Sequence, residues 1–143
     1  MQYTLLRENH VIEKGMSMRN PRKGFGQQKV LILLDRLQKY FIQYGDKDKD
    51  FLEYPLSTIK QYIEYTESNG VEIDKIKKRF EALAKECQPL TIQSHAGVMN
   101  VNKTDILKMC NKDFESLLYS RHSIRYFSSA SIDRNTIIRL LKL

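Results

Sequence analysis

Gln28-Lys29-Val30-Leu31-Ile32-Leu33-Leu34-Asp35-Arg36-Leu37-Gln38-Lys39-Tyr40-Phe41-Ile42-Gln43-Tyr44 carries the clearest periodicity in this 143-residue chain. Val30, Leu33, Leu34, Leu37, Phe41 and Tyr44 recur every three or four residues and share one face of a helix. Gly45 and the run Asp46-Lys47-Asp48-Lys49-Asp50 end it. That run reads as a solvated loop, since the glycine and closing glutamate of a calcium loop are not at their offsets. A second helix is predicted from Pro55, a residue suited to the first helical position. Its inner stripe is Leu56, Ile59, Ile63 and Thr66, with Tyr62 and Tyr65 alongside, and Asn69-Gly70 closes it. A third is expected from Ile73 to Cys87, with Ile73, Ile76, Phe80, Leu83, Ala84 and Cys87 inward and Pro89 as its stop. Its Lys75, Lys77, Lys78 and Arg79 are balanced by Glu72, Asp74, Glu81 and Glu86, as on a solvated face. Three such helices joined by short loops bury their stripes as an antiparallel bundle. Tyr40, Tyr44, Tyr54, Tyr62 and Tyr65 are expected at the rim of that core.

Upstream, residues 1–28 are punctuated by Gly15, Asn20-Pro21, Gly24 and Gly26. A short helix near Tyr3 to Glu13 followed by an extended loop is expected. Glu13-Lys14-Gly15-Met16-Ser17-Met18 and Asn20-Pro21-Arg22-x-Gly24-Phe25-Gly26 are too distinctive for a random linker. Arg19, Arg22 and Lys23, beside two glycines and just before a helix, have the makings of an anion site. An ordinary structured loop is the competing reading, and the phosphate-loop order Gly-x-x-x-x-Gly-Lys-[Ser/Thr] is absent.

Bulk properties narrow the class. The chain is long enough for a genuine core, and its 41% hydrophobic and 29% charged content is that of a globular protein. No apolar run approaches the roughly 20 residues of a membrane helix, and Met1 to Leu6 lack the features of a secretory signal, so the cytoplasm is the expected location. Cys87 and Cys110 have no zinc or redox spacing and read as two buried, reduced thiols. The net charge of +7 is distributed as +4 over residues 1–29, −1 over 30–118 and +4 over 119–143. A nucleic-acid binder would carry a basic stripe along its helices, so no nucleic-acid role is expected. His10 and His95 stand alone and read as surface histidines.

Residues 88–103, with Pro89, Ser94, Gly97 and two asparagines, form the best boundary, dividing a helical front region (1–100) from a second piece (101–143). In the second piece Thr104 is expected to cap a helix over 105–110, and Asp113 one from Phe114 to Tyr119. Ser120-Arg121-His122-Ser123-Ile124-Arg125-Tyr126-Phe127 follows, then a polar loop and a last helix capped by Asp133 with Ile137, Ile138, Leu140 and Leu141 as its apolar positions. Two arginines four residues apart, with a serine and a histidine between, suit the oxygens of a phosphorylated ligand.

This run, Phe114-x-x-Leu117-Leu118-x-Ser120-Arg121-His122-Ser123-Ile124-Arg125-x-Phe127 with Ile132-Asp133-x-x-x-Ile137-Ile138-x-Leu140-Leu141, resembles the opening of the nitroreductase family's flavin domain. The front region's Glu13 to Met18 and Asn20 to Gly26 stretches are similar to an extension that precedes that domain in some nitroreductase-like proteins. The resemblance implies a mainly α chain: a helical N-terminal region, then the first helices of a truncated α+β nitroreductase-like flavin domain. It implies FMN as cofactor, with Arg121 and Arg125 on the phosphate, Ser123 on the phosphate or ribityl chain, and His122 in place of a more usual second arginine. It further implies NAD(P)H as electron donor, a small-molecule electron acceptor, a homodimer in the full-length form, no membrane partner, and no turnover by these 143 residues alone. The alternative is a non-enzymatic helical module that binds a protein or an anionic polymer, in keeping with the absence of any paired-carboxylate, Ser–His or metal constellation.

Overall fold

The apolar positions of residues 30–44 do wind onto one helical face, but Tyr40 completes it in place of Tyr44. Val30, Leu33, Leu34, Leu37 and Tyr40 are buried, whereas Tyr44 is 38% exposed. The computed structural model describes residues 1–45, 47–92, 101–110, 113–121 and 129–142. Their elements are α1 (Gln2–Met16), α2 (Gln27–Tyr44), a 3₁₀ turn (Lys49–Leu52), α3 (Glu53–Ser68), α4 (Asp74–Glu86), α5 (Lys103–Cys110), α6 (Phe114–Ser120) and α7 (Arg134–Leu141). The chain is mainly α, with no strand among the described residues.

The bundle has four helices where three were expected. Residues 2–16 form a full helix, longer than the predicted Tyr3 to Glu13, because Leu5, Asn9, Ile12, Glu13 and Met16 make an inner stripe at helical spacing. Helix α1 packs on both α2 and α3, and α4 closes the unit against α2 and α3. The core comprises Leu5, Ile12, Leu33, Leu34, Leu37, Leu52, Leu56, Ile59, Tyr62 and Ile76, all at 2% exposure or less, with Leu83 and Cys87 completing the α4 side. Burial of each large side chain stabilises by about 1.5–3 kcal/mol, so the front region has an ample core of its own. Tyr40 and Tyr62 are therefore core residues and not rim residues, since each phenol finds a polar partner: Tyr40 donates to Asp48, and Tyr62 donates to the Phe25 carbonyl.

Three boundaries differ locally. Pro55 is the third residue of α3, preceded by a 3₁₀ turn that begins inside the expected loop. All first-turn N–H groups lack intrahelical acceptors, so proline is tolerated there as well as at the first position. Helix α5 starts at Lys103, which puts Thr104 inside it, with Asn102 accepting from the Asp105 and Ile106 N–H groups. Ile73 flanks α4 and is not its first residue.

One buried polar cluster joins α1 to α3. Glu13 is 7% exposed, and Asn9 and Thr58 are fully buried. The Glu13 carboxylate accepts from the Tyr54 hydroxyl, from Thr58 Oγ1 (3.3 Å) and from Asn9 Nδ2 (3.3 Å). His10 Nδ1, on an exposed ring, lies 3.3 Å from its other oxygen. Asn9 Nδ2 also donates to Thr58 Oγ1 at 3.0 Å.

Two residues beyond Glu13 on α1, Gly15 explains the distinctive Glu13 to Phe25 stretch. A Cβ at Gly15 would sit 2.1 Å from Phe25 Cε2. The Phe25 ring is packed edge-on against Tyr62 (5.6 Å between centroids) and Tyr65 (6.1 Å), which limits its retreat. The missing side chain therefore lets the α1–α2 loop fold back onto α3.

Helices α5 and α6 pack on each other, and Cys110 Sγ lies 3.7 Å from Ser120 Oγ. Their apolar side chains stay largely uncovered: Phe114 is 75% exposed and Tyr119 67%. Helix α7 has no buried residue, and Leu140 and Leu141 are exposed. Residues 93–100, the centre of the expected boundary, and His95 with them, lie outside the described residues.

Two stability tests follow from the α1 contacts. Glu13→Ala should destabilise the protein by about 2–3 kcal/mol, read as a lower urea midpoint, because buried donors lose their acceptor; Glu13→Gln, which keeps one acceptor oxygen, should cost less. Gly15→Ala, a change that would stabilise an ordinary helix interior, should instead cost about 1–3 kcal/mol by overpacking against Phe25. Tyr54 gives a pH test. Burial of its hydroxyl and then the Glu13 carboxylate that accepts its proton push the phenol from 10.0 up to about 12. The unfolded chain ionises first as pH rises, so this contribution is complete below pH 10 and is lost between about 10 and 12. Tyr54→Phe should flatten the fall in stability over that window.

Candidate functional site

Of the four residues expected on the flavin phosphate, Arg121 lies among the described residues, and His122, Ser123 and Arg125 lie outside them. Arg121 is the C-terminal cap of α6, in extended backbone, and its N–H donates to the Leu118 carbonyl at 3.2 Å. Its side chain is exposed, and it makes no ion pair among the described residues. Ser120, one residue earlier, is buried and turned back on its own helix, donating to the Leu117 carbonyl at 2.7 Å.

The two helices that bracket this stretch are capped as expected. Asp113 Oδ1 accepts from the Ser116 N–H at 2.8 Å, and Asp133 Oδ2 from the Thr136 N–H at 2.9 Å. These backbone donors favour the ionised carboxylates and hold both acids below their ordinary range.

A second cationic group is assembled at the other end of the chain. Arg19, Asn20, Pro21, Arg22, Lys23, Gly24 and Phe25, together with Tyr65, Thr66 and Asn69 from α3, line a cavity of about 250 Å³. No carboxylate is among them. The loop is shaped by Gly24 and Gly26, at φ +65° and +74°, values costly for any other residue. It is tied down by a turn in which the Phe25 N–H donates to the Arg22 carbonyl at 3.0 Å, and by the Tyr62 hydroxyl on the Phe25 carbonyl. Arg19, Arg22 and Lys23 are exposed, and none forms an ion pair among the described residues.

The α3 wall ends in carbonyl groups whose partial negative charge would repel an anion. Those carbonyls are already engaged. Tyr65 O accepts from Ser68 Oγ and Asn69 Nδ2, Thr66 O from the Asn69 and Val71 N–H groups, and Glu67 O from the Gly70 N–H. Thr66 belongs to this wall without offering its hydroxyl: the residue is 2% exposed, Oγ1 is withdrawn from water, and it lies near enough to the Tyr62 phenol to oppose the rise that burial imposes there.

The sequence pointed to Arg19, Arg22 and Lys23 but read Thr66 only as part of an inner stripe, and Tyr65 and Asn69 as rim and cap. The available signal was a hydroxyl residue in an otherwise aliphatic stripe. Two of the α4 cations do find acidic partners, but on other helices and not among the expected Glu72, Asp74, Glu81 and Glu86: Arg79 pairs with Asp35, and Lys77 lies 2.9 Å from Glu67. A hollow of about 340 Å³ between α1 and α2, lined by Arg7, Glu8, Val11, Lys29 and Ile32, carries both signs of charge, and its Glu8 is paired with Arg36.

Among the described residues no three His, Cys, Asp or Glu side chains gather to hold a metal, and no helix is long and apolar enough to cross a membrane. Compared with known protein families, curated proteins and solved structures, the chain matches none.

Both cysteines are free thiols, but only Cys87 is buried as expected; Cys110 is half-buried. Burial pushes the Cys87 thiol up to about 11, with Lys49 opposing the shift. Ellman's reagent at pH 8 should therefore modify Cys110 well before Cys87, and Cys87 should react only as the fold opens. Equal rates in the folded protein would contradict the burial of Cys87.

Proposed function

We propose that this chain is the N-terminal part of a nitroreductase-like FMN-dependent NAD(P)H oxidoreductase, with the front helices as an extension before its flavin domain. The reading is carried by the stretch Arg121-His122-Ser123-x-Arg125, set between two aspartate-capped helices. Among the apolar side chains of those helices, Phe114 and Leu141 are largely exposed, and Leu117 and Ile137 nearly half so. Such faces are what the opening helices of a larger sheet-containing core would present.

The residues present suit a phosphate-bearing cofactor. Arg121 has an exposed guanidinium without an ion pair among the described residues, so its charge is available to an incoming oxyanion. In this reading Arg121 and Arg125 hold the FMN phosphate by charge-assisted hydrogen bonds, Ser123 donates to the phosphate or ribityl chain, and His122 substitutes for a second arginine. Bound flavin supplies hydride chemistry between NAD(P)H and a small-molecule acceptor, and the protein's part is to hold and orient it. A cytoplasmic homodimer belongs to the same proposal. These 143 residues offer only the phosphate end of such a site, and orientation of reacting groups can supply on the order of 7–11 kcal/mol. The chain by itself is therefore proposed to be inactive.

The alternative, a non-enzymatic helical module for a protein or anionic polymer, draws on the self-sufficient core of α1–α4. Colour separates the two, since full-length protein that retains flavin is yellow. Arg121→Ala or Arg125→Ala in the full-length form should weaken FMN retention about tenfold or more, from the loss of a bond worth roughly 1.5–3 kcal/mol. Arg134→Ala, on α7 outside the motif, should change it little. Equal losses at all three would mean general electrostatics and would remove the specific phosphate role.

A further inference from the structure

We draw no further inference here: the strongest candidate, the hollow of about 340 Å³ between α1 and α2 lined by Val11, Ile32, Arg7 and Lys29, carries none, because nothing in the structure shows what covers its two partly exposed apolar side chains, and solvation suffices for its exposed cations.

Discussion

The burial of the Glu13 carboxylate is the constraint from which the front of this molecule is built. A charge that leaves water must be met by donors, or it costs several kcal/mol. Here the donors come from α3, through Tyr54 and Thr58, and from the same helix, through Asn9. Apolar stripes alone would let α1 slide along α3, since hydrophobic contact has no direction. A carboxylate that needs these particular hydroxyls fixes the register. Gly15 is then brought against Phe25, and Phe25 against Tyr62 and Tyr65. The conformation of the loop from Arg19 to Gly26 thus depends on a polar contact one helical turn before it.

Burial is distributed unevenly along the chain, and the change falls between α4 and α5. The first four helices bury more than a dozen large apolar side chains between them. Helices α5 to α7 contribute one buried residue, Ser120, and leave Phe114, Leu118, Ile138 and Leu141 in contact with solvent. At about 25 cal/mol per Å² of apolar surface, the second piece gains little from its own packing. Its helix caps, each worth about 1 kcal/mol, define where the helices begin but do not build a core. The front unit, by contrast, holds together on the apolar surface it buries among its own four helices.

Much of this was legible in the sequence, for identifiable reasons. Helices α2, α3 and α4 announce themselves by stripes of branched aliphatics at helical spacing, and Asp113 and Asp133 by capping chemistry, which is local. Helix α1 was legible only in part, since Asn9 and Glu13 stand where a stripe should be apolar. Only the partners on α3, more than forty residues away, turn those two into inward-facing residues. The tyrosines misled for the same reason: a phenol belongs at a rim unless a group elsewhere in the fold accepts its hydrogen bond, as Asp48 and the Phe25 carbonyl do. Of the expected flavin contacts, Arg121 alone is described, at the exposed end of α6.

Charge placement ties the two halves of the argument together. The N-terminal surplus of +4 has two readings from sequence, a solvated segment or an anion site, and spacing alone does not separate them. Geometry bears on the choice through the neighbours, not the charges. Arg79 and Lys77 on α4 find acidic partners in Asp35 and Glu67, whereas Arg19, Arg22 and Lys23, like Lys75 and Lys78 on α4, find none among the described residues. Solvation suffices for exposed cations of this kind, whether on α4 or on the loop. Thr66 adds no donor to the loop's cavity, because its Oγ1 is withdrawn from water inside the bundle.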